Sequence, residues 1–119
     1  MTKAFVAIGA ILLAASMAGR ARAGDTGKAA LNFKIFCAGC HGFSGHGDGP
    51  NAGTLPNKPQ DFADCGQMAK KPDAILLKAI KGGGASVGLP STMPAWATGL
   101  SDKQIEGLVA YIRGFCPKK

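Results

Sequence analysis

The sequence predicts a small all-α domain in which three to four short helices are joined by long irregular loops. Three segments place apolar residues at the spacing of an amphipathic helix, and no segment has the alternation of a strand. Most glycines and prolines fall between these helices, in residues 42–71 and 82–100. Loops this long are uncommon in compact domains unless they are functional. Because three short helices bury little apolar surface, we expect a large apolar cofactor at the centre.

The first 23 residues have the pattern of a cleaved secretory signal peptide. Lys3 supplies the positive start, residues 4–18 are apolar, and Ala21-Arg22-Ala23 fits the cleavage rule. The apolar run is shorter than the ~20 residues that span a bilayer core, and an uncleaved membrane anchor is the alternative. We therefore expect one exported domain, residues 24–119, in the bacterial periplasm.

The first helix is predicted over residues 25–36, with Asp25 or Thr26 available to cap its start. Ala29, Phe33 and Cys37 lie on one stripe at i, i+4 and i+8. The helix therefore leads directly into the most informative motif of the chain.

That motif is Cys37-Ala38-Gly39-Cys40-His41, a C-x-x-C-H run typical of covalent c-type haem attachment. Two thiols on one turn can bond the two vinyl groups on one porphyrin edge, and His41 can then coordinate the iron. A thioredoxin-like dithiol would need a βαβ pattern, and a structural zinc site would need four ligands. Both are weaker alternatives. We predict one haem c bound through Cys37 and Cys40, with His41 as an axial ligand.

A second helix is predicted over residues 72–81, ended by three successive glycines, and Met93 follows in a Pro/Gly-bounded loop. Its place about 50 residues after His41 allows the chain to reach the other face of a haem. A Met ligand opposite His raises the reduction potential and closes the iron site. We predict Met93 as the second iron ligand, with Met68 and an open site as alternatives, and His46 as an exposed loop side chain.

A third helix is predicted over residues 101–114, because Ser101 and Gln104 form a capping-box pattern before a helical apolar run. Cys65 and Cys116 remain outside the C-x-x-C-H motif. We predict a disulfide between them, since unpaired thiols are a liability in an oxidising compartment. Two free thiols are the alternative.

Taken in order, these motifs resemble the class I cytochromes c, specifically the small secreted bacterial type, over residues 26–115. The resemblance implies the cytochrome c fold, with helices and loops wrapped around one covalent haem. It implies that the Pro50 carbonyl in Gly49-Pro50-Asn51 accepts the Nδ1–H of His41, although Pro50 would occupy a turn in any case. It also implies that Trp96 and Tyr111 hydrogen-bond a haem propionate, with plain core aromatics as the alternative.

One position departs from the family pattern. Ala29 stands where the family usually has glycine at the crossing of the first and last helices, and one extra methyl group there would push the helices slightly apart. The departure concerns stability and not the redox assignment.

The charge of the chain argues against nucleic-acid binding. The full sequence carries a net charge of +7, and loss of Lys3, Arg20 and Arg22 with the signal peptide lowers it to +4. This mild basic bias suggests acidic docking surfaces on redox partners. The lysines that would form such a rim are Lys58, Lys70, Lys71, Lys78, Lys81 and Lys103.

Three functions compete at this stage. We expect a monomeric, non-enzymatic one-electron carrier that shuttles electrons between redox proteins, with a membrane complex as one transient partner. A dedicated electron-transfer subunit of one periplasmic redox enzyme is the alternative. A haem enzyme or gas sensor would need an open iron site and a polar distal pocket, and the Met93 segment argues against it.

Overall fold

The computed structural model describes residues 23–117, and within that range the chain is helical and contains no β-strand. Its elements are α1 (Ala23–Phe36), α2 (Ala38–His41), a 3₁₀ turn (Ala52–Thr54), α3 (Cys65–Ala69), α4 (Asp73–Gly82), a second 3₁₀ turn (Gly84–Val87) and α5 (Asp102–Arg113). The helices predicted over 25–36, 72–81 and 101–114 correspond to α1, α4 and α5. Apart from Ala23, the predicted signal peptide lies outside the described residues. No helix in residues 23–117 has the length and apolar character needed to cross a membrane.

Helix α1 packs against α5 along the stripe that the sequence predicts. Ala29 and Phe33 are buried on this face. A Cβ placed on Gly107 of α5 would lie 3.6 Å from the Cβ of Ala29, an ordinary contact distance. The methyl group of Ala29 therefore meets a glycine, and the small residue at this contact is on α5 instead of α1.

Helix α4 also packs against α5 and completes the core. The predicted capping box at the start of α5 is confirmed: the Gln104 amide donates to the Ser101 hydroxyl at 3.2 Å, and the Ser101 amide donates to Gln104 Oε1 at 2.8 Å. The two helices bury the apolar faces expected from their periodicity. The buried residues are Leu76, Ile80, Ile105, Leu108, Val109 and Ile112.

The short helix α3 was not predicted from the sequence. The Asp64 carboxylate caps it by accepting the Gln67 amide at 3.1 Å. Its first residue, Cys65, forms a disulfide with Cys116 across a Cα–Cα distance of 5.4 Å, which confirms the predicted bridge. Met68 is buried in the core on the inner face of the same helix.

Arg113 joins the end of α5 to the segment between α3 and α4. Its guanidinium donates to the Asp73 carboxylate at 2.8 Å, to the Met68 carbonyl at 2.9 Å and to the Lys71 carbonyl. One side chain therefore satisfies two loop carbonyls and pairs with the first residue of α4. Together with the disulfide, it fixes residues 65–73 against the C-terminal end of the last helix.

Candidate haem-binding site

The C-x-x-C-H motif forms a helical turn at the end of α1. The chain departs from regular helix only at Cys37, and α2 follows at once. The amides of Cys40 and His41 both donate to the Cys37 carbonyl, at 3.2 and 2.9 Å. Cys37, Cys40 and His41 consequently lie on one turn and line the same cleft. The two thiols are half-buried and form no disulfide.

The glycine-rich loop after His41 folds tightly back onto this turn. The amides of Gly47 and Gly49 donate to the carbonyls of His41 and Cys40, at 2.8 and 3.1 Å. A Cβ on Gly49 would lie 2.5 Å from the Ala38 carbonyl oxygen, so only glycine permits this approach. The loop thus supports the motif through backbone contacts.

The His41 imidazole is held in one orientation by its neighbours. Its Nδ1–H donates to the Gln60 carbonyl at 3.1 Å, and the Phe62 ring stacks on it with centroids 4.4 Å apart. Burial lowers the pKa of His41, partly opposed by the hydrogen bond to Gln60. The ring is therefore neutral near pH 7, and with Nδ1 occupied its Nε2 is the nitrogen available for a metal.

The prediction that Pro50 accepts this hydrogen bond is wrong in the structure. Pro50 is exposed and does not line the cleft, while residues 57–60 do. Gly49 packs on the backbone of α2, and the carbonyl that reaches the His41 ring comes ten residues after Pro50, at Gln60. The acceptor is a backbone carbonyl, which any residue type could supply, so the sequence carries no signal for it.

The thiol of Cys37 has no nearby group that would ionise it. Burial raises its pKa to about 11, and the neighbouring Cys40 thiol acts in the same direction. The thiol is therefore protonated at neutral pH and lacks the electropositive surroundings of redox-catalytic cysteines. This environment does not favour the dithiol-oxidoreductase interpretation.

Met93 lines the same cleft as the C-x-x-C-H motif and is partly buried. Its carbonyl accepts the Gly84 amide at 3.0 Å, and the Trp96 amide donates to the Ile80 carbonyl at 2.9 Å. Gly83 packs directly beneath this segment with φ of +77°, and a Cβ there would lie 2.8 Å from the Met93 carbonyl oxygen. The glycines that end α4 therefore allow the Met93 segment to lie against the helix end.

The two predicted aromatic contacts have different outcomes. Trp96 lines the cleft and packs against Phe36 with ring centroids 5.1 Å apart. Tyr111 does not line the cleft, and its ring packs against Phe33 and Phe115 at centroid distances of 5.2 and 5.4 Å. Adjacent residues on a helix are separated by about 100°, so Ile112 faces the cleft while Tyr111 faces α1. The propionate contact of Tyr111 stays a prediction that the cleft lining does not support.

The weaker ligand candidates also lie away from the cleft lining. Met68 is a core residue with 2% of its surface exposed, and its side chain is packed on all sides. His46 is an exposed loop residue whose Nδ1 lies 3.4 Å from the Asp61 carboxylate. Among residues 23–117, no three His, Cys, Asp or Glu side chains are grouped so that they could hold a metal ion.

The cleft has a volume of about 360 Å³ and an apolar wall. Helix α4, the second 3₁₀ turn, residues 55–60 and the Met93 segment supply most of this wall. The main apolar residues are Leu55, Ile75, Leu76, Ile80, Val87, Leu89 and Ile112. Two thiols, one neutral imidazole and one thioether converge on it. These residues fit a haem c, which needs two thiols for attachment, two soft or imidazole axial ligands and an apolar surround.

The helical frame and this donor set define the class of the chain as a c-type cytochrome domain. Residues 23–112 match the family described as cytochrome c oxidase, cbb3-type, subunit III, and the chain belongs to this family. Among solved structures, the c-type cytochrome KustC0563 is similar, with a TM-score of 0.59 and 26% identity over 73% of this chain and 95% of that one. No curated protein sequence matches the chain at a significant level.

These comparisons confirm the predicted cytochrome c fold and indicate electron transfer as the general role. Members of this family are typically electron carriers and not enzymes, and membership implies a covalent haem c. The structure adds site residues that the sequence did not indicate. Gln60 and Phe62 contact the His41 ring, and Asn57 lines the cleft. Lys58 and Lys71, which were expected only in a docking rim, line the cleft as well.

Proposed function

We propose that this chain is a one-electron carrier that holds a single haem c through thioether bonds to Cys37 and Cys40. The observation that carries the proposal is the convergence of both thiols, the oriented His41 ring and Met93 on one apolar cleft. When bound, the haem supplies a one-electron ferric/ferrous couple. The protein supplies the attachment, the axial ligands and the exclusion of water from the iron.

His41 and Met93 are the proposed axial ligands. The hydrogen bond from His41 Nδ1 to Gln60 fixes the tautomer and supports Nε2 as a ligand. The Met93 backbone is held by Gly84, and Pro94 follows it directly. Trp96 is proposed to donate its indole N–H to a propionate, since this ring lines the cleft. With His41 and Met93 both holding the iron, the haem would have no open position for a substrate.

Absorption spectra of the exported protein test the ligation. We expect covalent haem, a low-spin spectrum, a ferric Met–iron charge-transfer band and no response of the ferrous protein to CO. Met93→Ala should abolish the band and make the ferrous protein CO-reactive. Met68→Leu is the matched control, because it changes a methionine in the core at nearly constant volume, and it should keep the band. Rapid CO binding by the native protein would instead support the enzyme or sensor alternative.

The proposed location is the bacterial periplasm, reached by cleavage of the signal peptide after Ala23. Support comes from the leader pattern, from the C-x-x-C-H motif and from the Cys65–Cys116 disulfide, which suits an oxidising compartment. Fractionation and N-terminal sequencing of the haem-bearing protein test the proposal. We expect Gly24 as the first residue, whereas an intact leader in the membrane fraction would support the anchor alternative.

Docking to acidic redox partners is proposed for the lysine rim. Lys70, Lys78 and Lys103 are exposed, while Lys81 pairs with Asp102 at 2.8 Å. If the lysines steer association, the bimolecular electron-transfer rate should fall steeply with ionic strength. A rate that is independent of salt would remove this part of the proposal.

A dedicated subunit of one redox enzyme is the second candidate function. The family description names a subunit of a terminal oxidase, which favours this candidate. Affinity purification of the native protein from solubilised cells discriminates the two. A stoichiometric oxidase complex that persists at high salt would support a subunit, and a free haem protein of monomer size would support a shuttle.

A further inference from the structure

The charged residues of the haem cleft are few and have one sign. Apart from His41, the lining contains two formally charged side chains, Lys58 and Lys71, and no carboxylate. Haem carries two propionate carboxylates on a mostly apolar ring, so the two lysines equal the propionates in number and are opposite to them in charge. A carboxylate placed in a cleft of this kind needs a paired cation or hydrogen-bond donors.

Within residues 23–117, neither lysine forms an ion pair with a carboxylate. The ion pairs in residues 23–117 involve Lys81, Arg113 and His46, and neither Lys58 nor Lys71 takes part in one. Within the described residues, no carboxylate therefore competes with a propionate for these two lysines.

The backbone of Lys71 is firmly placed at the edge of the cleft. Its carbonyl accepts a hydrogen bond from Arg113, and its amide donates to the Met68 carbonyl at 3.1 Å. Lys71 is also less exposed than its neighbour Lys70, which points away from the cleft lining. The ammonium group of Lys71 can therefore reach only as far as its side chain extends from this fixed backbone position.

Lys58 lies in the segment that holds His41. All four residues 57–60 line the cleft, and Gln60 accepts the His41 hydrogen bond. The Lys58 Cε atom lies 3.5 Å from the position that a Cβ on Gly47 would occupy, so its stem passes over the glycine-rich loop. Lys58 is exposed, and its backbone lies two residues before the carbonyl that holds the His41 ring.

We propose that Lys58 and Lys71 form a propionate-binding pair that neutralises the haem carboxylates and raises the reduction potential. The inference rests on the proposed haem function. It adds two cations to the propionate contact proposed for Trp96, which lines the same cleft. It also implies that partner docking uses the outer lysines, Lys70 and Lys78 among them.

The test is the midpoint potential of the haem-bearing protein in Lys58→Gln, Lys71→Gln and the double variant. Without the cations, the propionate charge favours ferric iron, and we expect the double variant to shift the ferric/ferrous equilibrium toward ferric by on the order of tenfold. For a one-electron couple this is a fall of about 59 mV. The fall should persist at about 1 M salt, where the Debye length is about 3 Å.

Two further variants separate a direct contact from a general charge effect. Lys70→Gln removes the same charge from the adjacent residue outside the cleft, and we expect it to leave the potential unchanged. Lys58→Arg with Lys71→Arg keeps both charges, and we expect it to retain the native potential. Three results would overturn the propionate pair. The first is an unchanged potential in the double Gln variant. The others are an equal fall in Lys70→Gln and a fall that disappears at high salt. Each of these results requires a spectrally normal haem protein, whereas absence of covalent haem from the native chain would refute the proposed function itself.

Discussion

Substitution of Gly83 can displace Met93 without changing the proposed ligand residue itself. Its φ of +77° and ψ of 175° fall in a region that essentially only glycine occupies. Replacement by alanine therefore costs about 1–3 kcal/mol in backbone strain. The added Cβ would also lie 2.8 Å from the Met93 carbonyl oxygen and 3.0 Å from the Ala95 amide nitrogen.

That contact is too short for a carbon atom, and relieving it moves the Met93 backbone away from α4. Overpacking of this kind costs about 1–3 kcal/mol, so Gly83→Ala should lower the free energy of unfolding by about 2–6 kcal/mol in total. Gly88→Ala is the matched control. Gly88 has φ of +78° but nothing within 4 Å of its Cβ position, and its substitution should cost only about 1–2 kcal/mol.

Urea unfolding of the haem-bearing protein measures the stability, and the ferric Met–iron charge-transfer band reports the ligand. We expect Gly83→Ala to lose most of the band and to bind CO when reduced, while Gly88→Ala keeps the native spectrum. If both variants lose the same stability and both keep the band, Gly83 does not position Met93 and the reasoning fails.

Three further predictions concern stability. Replacing Cys65 and Cys116 by serine should lower the free energy of unfolding by on the order of 4 kcal/mol, because the bridge closes a loop with a sequence separation of 51; a urea midpoint unaffected by the double change would contradict this. Gly107→Ala should stabilise the protein by about 0.5–1 kcal/mol, because alanine has the higher helix propensity and its methyl group would lie at an ordinary contact distance. A lower thermal midpoint would show that α1 and α5 cannot accommodate the methyl group. Because burial lowers the pKa of folded His41, the unfolded chain binds the proton first, so stability should fall as the pH drops below about 6.5. Urea midpoints of the native protein between about pH 5 and 8 measure this slope, and His46→Gln, which changes an exposed loop residue, should keep it. A midpoint that does not change over this pH range would contradict the prediction.

The helices and the attachment motif were readable from the sequence because their signals are local. The capping box of Ser101 and Gln104 marks the start of α5 directly, and the glycines after α4 mark its end. The pairing of Cys65 with Cys116 followed from counting thiols. In each case the residue type itself indicates the structure.

The parts that sequence reasoning missed depend on backbone paths and helix rotation. The partner of His41 is the carbonyl of Gln60, which has no residue-type signature, so Pro50 was the wrong candidate. The direction in which Tyr111 points is decided by its packing against Phe33, and the residue type alone does not indicate this direction. Helix α3 is only five residues long and too short to show periodicity. Nothing in the sequence around Lys71 indicates that this residue lines the cleft.

The disulfide also divides the domain into two topological parts. Residues 65–116 form a closed covalent ring that contains Met93, whereas the C-x-x-C-H motif lies on the open arm before it. A single proteolytic cut in the Met93 loop would open this ring without releasing any fragment. The nicked chain would stay joined through sulfur, with Arg113 still bound to the segment after α3. The half of the site that carries Met93 is thus protected from loss by chain connectivity, independently of how tightly it is packed.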